Sequence, residues 1–179
     1  MASIQKKNIG LLGGSCDPAH KGHLGISRIA IKKLKLKKVY WVITKKNPFK
    51  NETFYSLDER IKNAKKMSKT QKKIEVIFLE NVVKSSRTIN LVNYFIKKKN
   101  IKNIHLIIGS DNLIRFHKWK SWKKIVKLVK LIVFSRKGYD RKGMKSIVVK
   151  NFKNKIIFIK SKYITISSTQ LKNQPRLNN

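Results

Sequence analysis

The chain has 179 residues, enough for one domain with a sizeable core and too few for two ordinary domains and a linker. Its 44 basic and 8 acidic residues give a formal net charge of +36, yet 41% of the residues are apolar and they are spread along the chain, which excludes a disordered polycation. The single cysteine, Cys16, excludes a disulfide framework and a cysteine-based metal cluster, and neither a signal-peptide core nor a bilayer-length apolar run is present, so a soluble cytoplasmic protein is expected.

So large a charge raises the question of a polyanionic partner, because clustered Lys and Arg neutralise phosphates and release counterions. Only 7 of the 44 basic residues are arginine, although phosphate and base recognition favour the bidentate guanidinium. Lysine, asparagine and isoleucine are abundant together, and all three have A/T-rich codons. Codon bias therefore accounts for the charge, and neither a specific nucleic-acid partner nor a membrane is expected.

In chain order, Ile9–Leu12 is the first strand-like apolar run, and it leads into Gly13-Gly14-Ser15-Cys16-Asp17-Pro18-Ala19-His20-Lys21-Gly22-His23. Paired glycines let a phosphate chain approach the backbone, and the start of the helix expected over Leu24–Leu36 offers unpaired N–H donors and a favourable dipole. His20 and His23, three apart, can sit over one turn and point to one place, where two donors would hold a phosphate and stabilise a leaving anion. A Gly-rich turn with two surface histidines is the bland alternative. A zinc site is disfavoured because Asp17 is the only further ligand nearby, and a Cys16–His20 nucleophile pair because nothing in sequence orients the base.

Val39–Thr44 is the next strand, and Thr44–Leu57, containing Asn47-Pro48-Phe49-Lys50, is expected to be a loop. A helix over Leu57–Met67, a strand over Ile74–Leu79 and a helix over Thr88–Lys98 follow. The strand Ile104–Gly109 runs into Gly109-Ser110-Asp111, and an acidic residue just past a strand end is placed to accept from ribose hydroxyls, or else to cap the next helix. Trp119 and Trp122 open a helix expected over Trp119–Val129, where packing is the ordinary role of such residues. A strand over Leu131–Ser135, a basic loop over Arg136–Asn154 and a strand over Ile156–Ile159 complete the alternation. Near the end, Ser167, Ser168 and Thr169 precede a possible helical turn ending at Lys172, and their hydroxyls suit a plain N-cap or a second phosphate cradle. The domain is expected to span residues 1–172, with 173–179 as a flexible tail.

Alternating strands and helices predict an α/β fold, a single-domain, Rossmann-like doubly wound parallel sheet with helices on both faces and right-handed crossovers. Ligands of such sheets bind beyond the carboxyl ends of the strands.

Gly13–His23 resembles the GGSFDPxHxGH signature of bacterial nicotinate-nucleotide adenylyltransferases, members of the HxGH nucleotidyltransferases, with Cys16 in place of phenylalanine. Residues 166–172 are similar to that family's ISSTxxR, with Lys172 in place of arginine; 109–122 to its G-A/S-D-N/S-L…W-x-x-W block; 47–50 to its NPxK loop. Arg60 matches an arginine in the helix that follows that loop. Ser135-Arg136-Lys137-Gly138-Tyr139 is similar to A-R-P-G-Y, and Thr88 lies in a partial match to YT-x-DT with Arg87 at the tyrosine. The resemblance implies adenylyl transfer from ATP to nicotinic acid mononucleotide, with Mg²⁺ carried by ATP and no tightly bound cofactor. It implies that His20, His23 and Lys172 act on the transferring phosphate. Gly13, Gly14, Ser15, Gly109, Asp111, Arg136, Ser167, Ser168 and Thr169 would bind ATP with the two histidines, and Asn47, Lys50, Thr88 and Trp119 the mononucleotide, Trp119 by stacking. Trp122 is assigned to packing. The rivals are transfer to nicotinamide mononucleotide or phosphopantetheine, and an RNA-binding protein on the same fold.

Overall fold

The computed structural model describes residues 7–45 and 53–160. Its strands are β1 (Asn8–Gly14), β2 (Lys38–Ile43), β3 (Ile74–Phe78), β4 (Asn103–Gly109), β5 (Lys130–Phe134) and β6 (Ile156–Ile159). They form one sheet in the order β3-β2-β1-β4-β5-β6, parallel at every pair. This is the doubly wound order of the Rossmann-like folds, as expected, and the chain reverses direction across the sheet between β1 and β4.

Parallel neighbours need crossovers, and these are α1 (Lys21–Lys33), α2 (Leu57–Ser68), α3 (Glu80–Val83), α4 (Thr88–Lys97), α5 (Ser110–Arg115), α6 (Trp122–Leu128), α7 (Asp140–Met144) and α8 (Ile147–Phe152). Strands covered on both faces read as continuous apolar runs, and here successive residues serve opposite faces. Leu131 and Val133 of β5 pack with Val92 and Phe95 of α4, Ile125 and Val126 of α6 and Val148 of α8. Ile132 and Phe134 pack on the other side with Ile26 and Ala30 of α1 and Ala64 of α2. Two apolar layers thus sandwich the sheet.

Four strands begin one polar residue earlier than the apolar pattern suggests, at Asn8, Lys38, Asn103 and Lys130, because ladder pairing follows the backbone and not side-chain polarity. Two expectations are corrected. The helix placed over Trp119–Val129 begins only at Trp122: Phe116–Lys118 is a 3₁₀ turn, Trp119 is extended and Ser121 is left-handed at φ 58°. The stretch 136–154, expected as loop, contains α7 and α8, and Val148 and Val149 of α8 are buried. Helices of five and six residues are too short to display a periodicity, so the packing of those valines defines them.

Candidate active site

β1 and β4 are paired up to Leu12 and Ile107, and each then runs on for two residues to end in glycine, at Gly14 and Gly109. The first of these ends opens the Gly-rich loop. Among the described residues, a side chain added at Gly13 would meet nothing within 4 Å beyond its chain neighbours, and one at Gly14 only the Cys16 amide at 4.0 Å. Packing among the described residues therefore does not require glycine at either position. Ser15 is buried, and Cys16, in the left-handed region at φ 45°, is buried among the residues packed on the α1 face. A cis peptide joins Asp17 to Pro18.

The loop ends where α1 begins, and the two histidines make that beginning. His20 is the N-cap: its Nδ1 accepts from the Gly22 amide at 3.1 Å, while its own amide donates to Nδ1 of His23 at 3.2 Å. This is a capping box built from imidazoles instead of Ser and Glu. A backbone N–H can only donate, so each neutral ring carries its proton on Nε2 and presents that nitrogen as a donor. The ring centroids are 4.0 Å apart, and Trp41 of β2 lies 5.8 Å from the His23 ring. Trp41 is fully buried and its Nε1 donates to Ser27 Oγ of α1 at 2.8 Å, which anchors the wall behind His23.

A second cluster forms beyond β4 and β5. Asp111 Oδ1 faces Arg136 Nε at 3.1 Å, a contact of charges more than a directed hydrogen bond. Gly109 occupies the N-cap position of α5 and Asp111 lies in its first turn, so Asp111 is not the N-cap that the sequence left open. A side chain at Gly109 would collide with Asp111 Oδ1 and come within 2.7 Å of Arg136 Nε. The Arg136 amide donates to Ser110 Oγ at 3.0 Å and to Asp140 Oδ1 at 2.9 Å. Burial pushes the Asp140 carboxyl up, but hydrogen bonds from Ser110, the Arg136 amide and Ser135, with the charge of Lys160, outweigh it and hold the group below the ordinary carboxylate range. Asp140 thus fixes the backbone from which Arg136 projects.

Thr88 is the first residue of α4, half-buried. One face of Trp119 is stacked on Phe116, with centroids 4.7 Å apart and planes at 29°, and its Nε1 has no hydrogen-bond partner among the described residues. Trp122 packs edge-on against Phe152. Asn47, Lys50, Ser167, Ser168, Thr169 and Lys172 lie outside the described residues.

The structure brings together two groups named from the sequence: the histidines with the glycine loop, and Gly109 with Asp111 and Arg136. Sequence reasoning passed over Trp41, Ser27 and Asp140. Each supports another residue of the site through a hydrogen bond that its residue type alone does not announce. Among the described residues no group of three or more His, Cys, Asp or Glu side chains is placed to hold a metal ion, and no helix is long and apolar enough to cross a membrane.

Comparison with known proteins follows the same lines. The profile of the cytidylyltransferase-like family matches residues 11–174. A "Probable nicotinate-nucleotide adenylyltransferase" of Pelagibacter ubique is 50% identical over 94% of this chain and 93% of its own length. One of the same name from Clostridium novyi is 32% identical over 94% of this chain and 86% of its own. Among solved structures, the nicotinic acid mononucleotide adenylyltransferase of Plasmodium falciparum, complexed with NaAD, superposes with a TM-score of 0.72 at 19% identity, covering 92% of this chain and 82% of that one, which is a likeness of fold.

Proposed function

This chain belongs to the cytidylyltransferase-like family, among the nicotinate-nucleotide adenylyltransferases, and on that premise we propose that it moves AMP from ATP onto nicotinic acid mononucleotide, giving nicotinic acid adenine dinucleotide and pyrophosphate. A phosphate oxygen of the mononucleotide bonds to the α-phosphorus of ATP. The bond from that phosphorus to the bridging oxygen breaks, and pyrophosphate leaves with the electron pair. No protein nucleophile is needed; alignment and charge neutralisation carry the rate.

The observation that carries this proposal is the imidazole capping box. It sets two Nε2–H donors side by side at the end of a loop whose glycines no contact among the described residues demands. Donors fixed before the reaction act where charge develops on the transferring phosphate, at no cost in reorganisation. The N-terminus of α1 adds its dipole. Gly109, Asp111 and Arg136 are assigned to the ATP nucleoside, and Thr88 and Trp119 to the mononucleotide, Trp119 through the ring face opposite Phe116. Asn47, Lys50, Ser167, Ser168, Thr169 and Lys172 keep the roles the resemblance implies.

Mg²⁺ keeps several waters and binds through phosphate oxygens with few protein ligands, so a site without a carboxylate cluster among its described residues fits a metal that arrives on the triphosphate. Bound there, it would neutralise charge on the leaving pyrophosphate. ATP and its Mg²⁺ are cytoplasmic solutes, which supports placing the protein in the cytoplasm.

Pyrophosphate release by the purified protein with ATP and Mg²⁺ tests the proposal, with nicotinic acid mononucleotide, nicotinamide mononucleotide and phosphopantetheine compared side by side. A strong preference for the first is expected. Preference for either of the others would reassign the acceptor, and no release with any would remove the transferase assignment.

A further inference from the structure

Arg60 of α2 is 2% exposed and forms no ion pair among the described residues. Its donors go to main-chain carbonyls: Nε to Tyr55 at 3.1 Å, Nη1 to Ser15 at 2.8 Å and to Thr44 at 2.7 Å, and Nη2 to Lys45 at 3.0 Å. Asp17, 3% exposed, complements it: its two oxygens accept from the amides of Phe54 at 2.8 Å and Tyr55 at 2.9 Å. Tyr55 is therefore gripped from both sides, its N–H by Asp17 and its C=O by Arg60.

Three segments remote in sequence meet at this one guanidinium: the glycine loop after β1, the exit of β2 and the entry to α2. Apolar packing would hold α2 against the sheet without the desolvation cost of a buried cation, so stability is a weak reason for Arg60. The planar fork with five N–H donors supplies fixed direction instead, and here it fixes one loop against another. Ser15 lies on the phosphate side, while Thr44 and Lys45 leave the neighbouring strand, at the carboxyl rim where ligands of such sheets sit.

We propose that Arg60, together with Asp17, is a positioning residue for adenylyl transfer: it sets the glycine-loop backbone at Ser15 against the exit of β2 and so aligns the acceptor with the α-phosphate. This rests on the transfer reaction proposed above. In-line displacement is sensitive to such alignment, since a shift of about 1 Å can cost on the order of 10²-fold in rate.

The test uses the full chain carrying Arg60→Lys, Arg60→Met or Asp17→Asn. Measured for each are kcat, KM for both substrates, the Kd of a non-hydrolysable ATP analogue and the melting temperature. In protein folded at the assay temperature, Arg60→Met should lower kcat by about 10- to 100-fold. The analogue should still bind within about threefold of the unsubstituted Kd, and Arg60→Lys should recover part of the rate, because an ammonium can remake some carbonyl bonds. Should Arg60→Met not fold, Arg60→Lys and Asp17→Asn carry the same comparison. Unchanged kcat per folded molecule would overturn the proposal and leave Arg60 a structural residue. A parallel loss of analogue binding and rate would overturn it too, by locating the damage in the ATP site. If the unsubstituted protein releases no pyrophosphate, the reaction itself fails and this proposal with it; activity with indifferent variants sinks only the positioning role.

Discussion

His20 and His23 cap their own helix reciprocally, the amide of His20 donating to Nδ1 of His23 while Nδ1 of His20 receives the amide of Gly22. The same bonds that start α1 settle which nitrogen of each ring bears the proton. Capping consumes Nδ1 of each imidazole, so the neutral rings keep Nε2 as the donor that the proposed transfer would use.

Replacing His23 by alanine removes one half of this box. The fold should persist with a loss of about 1 kcal/mol, the usual worth of a cap. The transfer rate should fall by about 10²- to 10³-fold, the usual cost of one preorganised donor. Thermal melting and pyrophosphate release, measured on the same preparation, check both parts; full activity in the variant would remove His23 from the chemistry.

Trp41 and Ser27 should behave as a coupled pair. Trp41→Phe leaves the Ser27 hydroxyl buried without the indole donor, and Ser27→Ala leaves that donor without an acceptor, each costing about 1–3 kcal/mol. The double variant should cost clearly less than the sum of the two, since the second change removes the orphan left by the first. A denaturant titration of all four proteins decides it, and strict additivity would mean that the bond contributes nothing.

Gly109→Ala places a methyl where Asp111 and Arg136 meet. Both are far ends of flexible side chains, so the fold should yield and the ion pair should not survive. A rise of about tenfold in KM for ATP, which is about 1.4 kcal/mol, with little change in melting temperature, is the expected result. An unchanged KM would separate this cluster from the nucleotide.

Stability should decline in mild acid through His105. The ring is buried on β4, and desolvation lowers its pKa, opposed by a backbone hydrogen bond with Ile9 and reinforced by the charge of Lys130. A histidine depressed in the fold binds its proton more readily once unfolded, so below the unfolded value near 6.5 the unfolded state takes up protons first. The contribution is intact above about pH 6.5 and lost as the pH falls towards the lower, folded value. Urea midpoints at pH 7.5 and pH 5.5 should differ more for the unsubstituted chain than for His105→Gln.

Much of this architecture was legible because its signals are local. Six apolar runs separated by amphipathic stretches announce a doubly wound sheet, and every one of those runs is a strand whose ends lie within two residues of the expected ones. The glycine-histidine motif was legible as a loop leading into a helix start for the same reason, since its residues are neighbours in the chain. The helices α7 and α8 were not, because five or six residues carry too little periodicity to distinguish a buried turn from a basic loop. Nor could a pattern of neighbours single out Asp140, whose partner Ser110 lies 30 positions away and meets it because β4 and β5 end side by side, while Arg136 is a local partner four residues back.

By itself the sequence determined the strand and helix periods, the loop that ends at His23 and, from its single cysteine, that no disulfide framework exists within the chain, all of which follow from residue type and short spacing. Only the tertiary structure decided which imidazole nitrogen carries the proton, that Trp41 backs His23, and that Arg60 and Asp17 grip Tyr55 from opposite sides. The first depends on hydrogen-bond direction within one helical turn, and the others on contacts between segments up to 45 residues apart, which exist only once the sheet has brought the segments together.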